Sequence, residues 1–232
     1  MPIEYSWIQK NVLNIISDGV SSSGGENGEG SSPSKKDGSS SQNSSNIPLN
    51  VEDLTQFNRK VPKLTSGNTW EAEAANFIAL KEGFTKKASW DVNHYRGGYG
   101  SDKVLKNGKL VEVTENTTFT KQEAVDTLRE YSIYEYSEII IKALGKSNWD
   151  KLNNHQKTAI VSLGYNVGKF YLTSREYGKK IVKAIKKGDY QEAAQGILDG
   201  PKTAGGEYLA SLARRRKEEA QLFLYPANKS IY

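Results

Sequence analysis

The sequence predicts an α+β domain, mainly α, with one small β region near its start and a long leader in front. Three observations carry that prediction. Apolar residues recur at helical spacing in segment after segment from Trp70 to Leu224. An Asn107-Gly108 pair, a strong two-residue hairpin turn, interrupts the run from Val104 to Val113. Residues 21–46 are almost entirely Ser, Gly, Asn, Lys and acidic residues, which cannot offset chain entropy by burial. The expected division is an amphipathic docking peptide at 1–20, a flexible Ser/Gly-rich linker and lead-in at 21–67, the folded domain at 68–226 and a tail at 227–232.

In chain order, Ile8, Val12, Ile15 and Ile16 with Trp7 predict a short amphipathic helix. The linker separates it from any core, so it reads as a docking element for another protein. Pro48, Pro62 and Gly67 mark an extended lead-in. Trp70, Ala74, Phe77 and Ile78 form one face of a helix running to about Lys81, which Gly83 stops. A Gly- and Tyr-rich stretch, Tyr95 to Gly100, leads into the hairpin. Thr120 with Glu123 forms a capping box opening a helix that carries Ala124, Leu128, Tyr131, Ile133 and Ile139 to Ile141. Further helices are predicted over His155–Val167, Tyr177–Lys186, Tyr190–Leu198 and Leu209–Leu224.

Composition narrows the chemistry. With no cysteine, a disulfide framework, a thiolate metal site and a cysteine nucleophile are all excluded. The two histidines, His94 and His155, are too far apart in sequence to suggest a zinc site, so no metal and no cofactor are expected. No G-x-S-x-G elbow occurs. The formal charge of +5 and pI near 9.1 favour acidic partners: nucleic acid, anionic lipid or the anionic polymers of a bacterial envelope. The start, Met1 to Tyr5, lacks the basic and apolar pattern of a secretory signal, and no run has the length of a membrane span.

Two carboxyl groups facing each other across a bond suit glycoside hydrolysis, and Glu82 with Asp91 offers such a pair at a helix end and beside a Gly-rich hairpin. The spacing alone is common in a chain with 27 acidic residues. The surrounding motif is more specific. Lys81-Glu82-Gly83-Phe84, then Trp90-Asp91, then Tyr95-Arg96-Gly97-Gly98-Tyr99-Gly100 resembles the active-site hairpin of phage-type lysozymes, glycoside hydrolase family 24. Phe119 to Ala124, Gln156 to Ser162 with Tyr165-Asn166-Val167-Gly168, Gly188-Asp189-Tyr190 with Ala193-Ala194, and Leu212 to Arg216 with Glu219 and Leu222-Phe223 resemble that family's later elements in order. The resemblance covers about 155 residues and does not reach 1–67.

The resemblance implies a two-lobed lysozyme-like domain that cuts the β-1,4 bond between N-acetylmuramic acid and N-acetylglucosamine in bacterial peptidoglycan. By it, Glu82 is the general acid, and Asp91 orients water or stabilises the oxocarbenium ion. Arg96 stands where the family usually has a Thr that positions water. A guanidinium can fix a carboxylate, so Arg96 is expected to hold Asp91 and is counted with the catalytic set. Ser101 occupies a place where the family often has His. Tyr165 and Asn166 match cleft-facing positions, suited to stacking on a sugar face and bonding its N-acetyl group. Tyr99 is a further candidate substrate contact and, with Phe84 and Trp90, a candidate shield for Glu82. Arg214-Arg215-Arg216 points three ways around a helix; by the resemblance Arg215 or Arg216 approaches Glu82, and both are candidate binding residues.

A phage tail or baseplate protein is the partner expected for residues 1–20, which places the protein in the virion or in the host cytoplasm before lysis. A freely released endolysin, a lytic transglycosylase and a degenerate, glycan-binding tail protein are the alternatives within this fold. A nucleic-acid-binding role lacks any recognition motif, and none is expected.

Overall fold

Asn76 shows how the domain begins, because its side-chain oxygen accepts the backbone N–H groups of Leu64 and Thr65 at 2.9 and 3.0 Å and folds the lead-in back onto the first helix. The computed structural model describes residues 64, 65, 67–91, 93–168 and 170–231. The docking peptide and most of the linker expected before them lie outside the described residues.

Helix α1 (Trp70–Glu82) starts at Thr69, whose hydroxyl accepts from Ala72 N at 3.4 Å, and Glu71 and Glu73 in its first turn complement the helix dipole. It ends at Gly83, where φ of 70° turns the chain out of the helix. Residues Ala72 to Ala79 are all buried, so α1 runs through the core instead of lying on it. Strand β1 (Thr85–Asp91) then pairs antiparallel with β2 (His94–Gly98), and β3 (Lys103–Lys106) with β4 (Lys109–Glu112). The second hairpin turns on Asn107 and Gly108, with φ of 51° and 73°, the two left-handed residues that a tight two-residue turn requires.

The capping box at Thr120 is formed: Glu123 N donates to the Thr120 hydroxyl at 3.1 Å and Thr120 N to the Glu123 carboxylate at 2.8 Å. The helix it opens is not regular. α2 (Lys121–Thr127) passes through a π-helical turn at Leu128–Ser132 into α3 (Ile133–Leu144). The cause is legible in the spacing of buried residues. Leu128 and Ile133 are both wholly buried but five apart, a step that would swing one of them off the core face of an α-helix. The wider turn, with Ile133 N bonded to Leu128 O, brings both inward.

After the short α4 (Lys146–Lys151), Asn153 and Gln156 form a second capping box at the start of α5 (Asn154–Val167). This helix is even more buried than α1 and packs along it. The remainder is α6 (Tyr171–Ser174), α7 (Glu176–Lys187), α8 (Tyr190–Leu198), a minimal hairpin β5 (Thr203–Ala204) with β6 (Glu207–Tyr208), and α9 (Ala210–Leu224). Phe77, Ile160, Leu163 and Phe223, each 1% exposed or less, join α1, α5 and α9 in one core. Each such side chain contributes roughly 1.5–3 kcal/mol by burial. The result is mainly helical with small β hairpins, a lysozyme-like fold. The C-terminal residues expected as a tail pack onto it: Ile231 is buried, and Lys229 O lies 2.8 Å from His155 Nε2.

Candidate active site

Glu82 is the last residue of α1, and burial leaves it 6% exposed. Arg215, arriving from α9, donates from Nη1 to Glu82 Oε1 at 2.6 Å. The same guanidinium donates from Nε to Glu219 Oε1 at 3.1 Å, and Ser162 of α5 donates its hydroxyl to that oxygen at 2.7 Å. Arg216 Nη2 reaches Glu219 Oε2 at 2.7 Å. Two carboxylates and two guanidinium groups thus close a buried, formally neutral cluster joining α1, α5 and α9. Burial disfavours the Arg215 charge, but Glu82 and Glu219 outweigh it and hold the group above its ordinary pKa. Next to Glu82, Lys81 pairs with Glu218, so the end of α1 is clamped to α9 at two successive residues.

Asp91 closes β1 and is also nearly buried, 8% exposed. In the register of the first hairpin Asp91 faces His94 and Ser89 faces Arg96, so Asp91 and Arg96 are diagonal neighbours within reach of a long side chain. Arg96 Nε lies 3.3 Å from Asp91 Oδ2, an ion pair without hydrogen-bond alignment, and Arg96 Nη1 donates to Gly100 O at 3.4 Å. Two glycines let the hairpin sit this low. A Cβ on Gly97 would fall 2.3 Å from the buried Phe119 ring, and Gly98 has φ of 63°. Ser101 is tucked beside Ser132 of the π turn, their hydroxyl oxygens 3.5 Å apart.

A cleft of about 1270 Å³ opens between this hairpin and the helical lobe. At one end its wall is Arg96, Gly100 and Ser101 with Tyr136 and Tyr165; at the other are Phe170, Tyr177 and the Asp199–Gly206 segment before and within the last hairpin. Neither Glu82 nor Asp91 is a wall residue. Asp91 pairs with Arg96, and the Glu82 charge is felt by Tyr165, so each carboxylate adjoins a residue of the cleft wall. Tyr165 donates its hydroxyl to Tyr99 O at 2.7 Å, a bond linking helical lobe to hairpin, and packs on Tyr136 at 4.9 Å between ring centroids. Burial keeps both phenols protonated, raising Tyr165 well above its ordinary pKa and Tyr136 to about 12.

Several sequence-predicted binding residues lie elsewhere than on the cleft wall. Tyr99 is buried and packs on Phe84 at 5.8 Å, so its ring is core and only its carbonyl faces Tyr165. Asn166 is buried in α5 behind the wall. Arg215 and Arg216 are both buried: Arg215 supports Glu82, whereas Arg216, 0% exposed and spent on Glu219, is corrected from a substrate contact to a core charge. Trp90, expected to shield Glu82, is instead 56% exposed and packs on Tyr95 on the outer side of the hairpin. Sequence reasoning gave no role to Ser162 and Glu219, although both stood in the motifs that carried the resemblance. It also passed over Phe170, Tyr177 and the Gly205-Gly206 turn at the far rim. Among the described residues no cluster of three or more acidic or histidine side chains could hold a metal ion.

A buried helix-end glutamate braced by one arginine, and a hairpin aspartate paired with another that lines the cleft, in a mainly helical α+β domain, define the lysozyme-like class. The phage lysozyme family model matches residues 79–219, more than half of the chain, and the protein belongs to that family. Similar solved structures include a mutant of P22 lysozyme, 27% identical with a TM-score of 0.51, covering 66% of this chain and 96% of that one. The muramidase domain of SpmX from Asticaccaulis excentricus is 24% identical, TM-score 0.52, with 66% and 96% covered. The endolysin of Escherichia coli O157:H7 phage FAHEc1 is 22% identical, TM-score 0.52, with 66% and 94% covered. No curated protein matches the sequence.

Proposed function

We propose that this protein is a muramidase that hydrolyses the β-1,4 bond between N-acetylmuramic acid and N-acetylglucosamine in bacterial peptidoglycan. The observation carrying this reading is the pairing of each carboxylate with its own arginine, Glu82 with Arg215 and Asp91 with Arg96, beside the cleft that Arg96 and Tyr165 line. Glu82 protonates the leaving oxygen from the end of a rigid helix, and Arg215 fixes its rotamer. Asp91, held by Arg96, orients water or stabilises the positive charge that develops on the sugar ring. Tyr136, Tyr165 and Phe170 on the cleft wall supply aromatic faces for pyranose rings. This chemistry calls for no cofactor.

The test is digestion of purified peptidoglycan by wild type, Glu82→Gln and Asp91→Asn, with mass analysis of the released sugars. Wild type releases reducing muramic ends, and Glu82→Gln lowers the rate by at least about a hundredfold, the usual weight of a positioned acid, with its near-ultraviolet dichroism retained. Anhydro ends would move the reading to lytic transglycosylases. No release by the folded wild type would move it to a glycan-binding role.

The amphipathic pattern of residues 1–20 supports a second element of the proposal, attachment to a phage tail or baseplate for local wall penetration. Deleting 1–20 then removes the protein from purified virions while leaving peptidoglycan digestion intact. Virions that still carry the truncated protein would favour a freely released endolysin.

A further inference from the structure

The basic charge of this chain is not spread over its surface. Between Arg175 and Lys187 stand Arg175, Lys179, Lys180, Lys183, Lys186 and Lys187 against the single carboxylate of Glu176, an excess equal to the +5 of the whole sequence; the rest of the chain is formally neutral. These residues are α7 and its N-cap. All five lysines are exposed, while Gly178, Ile181, Val182, Ala184 and Ile185 are buried.

The fold makes no internal use of these lysines. Among the described residues none of the five makes an ion pair; Lys180 alone has an aromatic contact, with its ammonium 5.5 Å from the Tyr177 ring centre. Lys179 and Lys183, and Lys183 and Lys187, are four apart, and like charges at that spacing repel. The helix dipole accounts for Lys186 and Lys187 in the last turn, but gives no support to Lys179, Lys180 and Lys183. The apolar face that would enter a membrane is already used in the core. A Cβ on Gly178 would fall 2.2 Å from Tyr171 O, so the helix is seated too tightly to roll outward.

The position of α7 indicates what this charge faces. Arg175, Glu176 and Tyr177, at its start, line the far end of the cleft. A polymer lying on the lysine face would therefore run beside a glycan held in the cleft. Lysine ammonium groups are point charges on flexible stems and suit a string of phosphates without fixed geometry; the planar forks that read bases or single phosphomonoesters are missing from the helix face.

We infer that the exposed lysine face of α7 is a second binding site, for the phosphodiester-linked anionic polymers attached to wall glycan, and that it holds the enzyme on polymer-bearing wall. This inference rests on the peptidoglycan reading for its partner, but its measurement does not depend on catalysis. The probe is poly(glycerol phosphate), titrated into the full chain at several salt concentrations, with duplex DNA and phosphatidylglycerol vesicles at equal phosphate as comparators. Wild type prefers the polymer. Lys179→Gln/Lys183→Gln/Lys186→Gln keeps its helix, since Gln is nearly as good a helix former. It binds at least tenfold more weakly, with the slope of log affinity against log salt shallower by about two, because each of the three lysines contributes about 0.7 to the slope on a single-stranded polyanion. The corresponding triple Arg variant retains binding, and all three proteins digest wall stripped of its phosphate polymers by hydrofluoric acid at equal rates. Undiminished binding by the Gln variant overturns the inference, as does a wild-type preference for DNA or vesicles. If wild type fails to digest stripped wall, the muramidase reading fails while the polymer titration still stands.

Discussion

At the scale of single residues the arginine of the hairpin carries the sharpest prediction. Arg96 spans the diagonal of β1 and β2 to reach Asp91 and also bonds Gly100 O, so it fixes both a carboxylate and the turn that follows. Arg96→Ala is expected to lower turnover by about ten- to a hundredfold, the effect of a loosened catalytic group, with little change in KM. Unchanged turnover in a steady-state assay would take Arg96 out of the catalytic set. The candidates themselves were readable in the sequence, because Glu82 and Asp91 stand in a short motif whose order is informative by itself. Their support was less so. Glu219 pairs with Arg215 across one helical turn and meets Ser162 from a helix 57 positions away, and no local pattern announces a contact between α5 and α9. Tyr99 and Arg216 were misjudged for the same reason: type and position in a motif do not say whether a side chain faces a cleft or the core behind it.

Among the elements, the α1–α9 contact is the strut of the site. Removing one member of a buried ion cluster leaves its partner charged in a medium that solvates it poorly, at a cost of about 3–5 kcal/mol. Arg215→Met strands Glu82 and Glu219 together and is expected to cost that much, read as a lower urea midpoint at unchanged m-value. A loss below about 1 kcal/mol would mean the cluster contributes orientation but little stability. Most elements were foreseeable from periodicity and caps, among them α1, α5, α8, α9 and the Asn107-Gly108 hairpin. β1 was not, since its Thr85-Lys86-Lys87 start shows no apolar alternation and its pairing comes from Phe119 and Gly98 beyond it. The π turn was also missed, although its trace, the five-residue step from Leu128 to Ile133, lies in the pattern for a reader who allows a helix to change pitch.

Over the whole molecule, His155 ties the two ends of the described chain together. Its ring nitrogens lie 2.7 Å from Glu73 Oε1 and 2.8 Å from Lys229 O, both acceptors, so the doubly protonated imidazolium fits the site best. Burial pulls its pKa down, but the Glu73 carboxylate and the backbone carbonyls of Lys229 and Pro226 outweigh that and leave it raised. The folded state thus binds the proton more tightly than the unfolded chain. The stability His155 contributes is full below its ordinary pKa, about 6.5, and is lost as pH rises through the higher folded value. His155→Gln should therefore cost more stability near pH 5.5 than near pH 8; an equal loss at both would show that the ring acts through packing alone. The Glu82–Arg215 bond has a further consequence, for synthesis. The two residues are 133 positions apart, so at ordinary elongation rates Glu82 emerges on the order of ten seconds before its brace. A ribosome-bound chain holds the glutamate without the arginine, and the buried cluster closes only when α9 docks, after nearly every other element has been made.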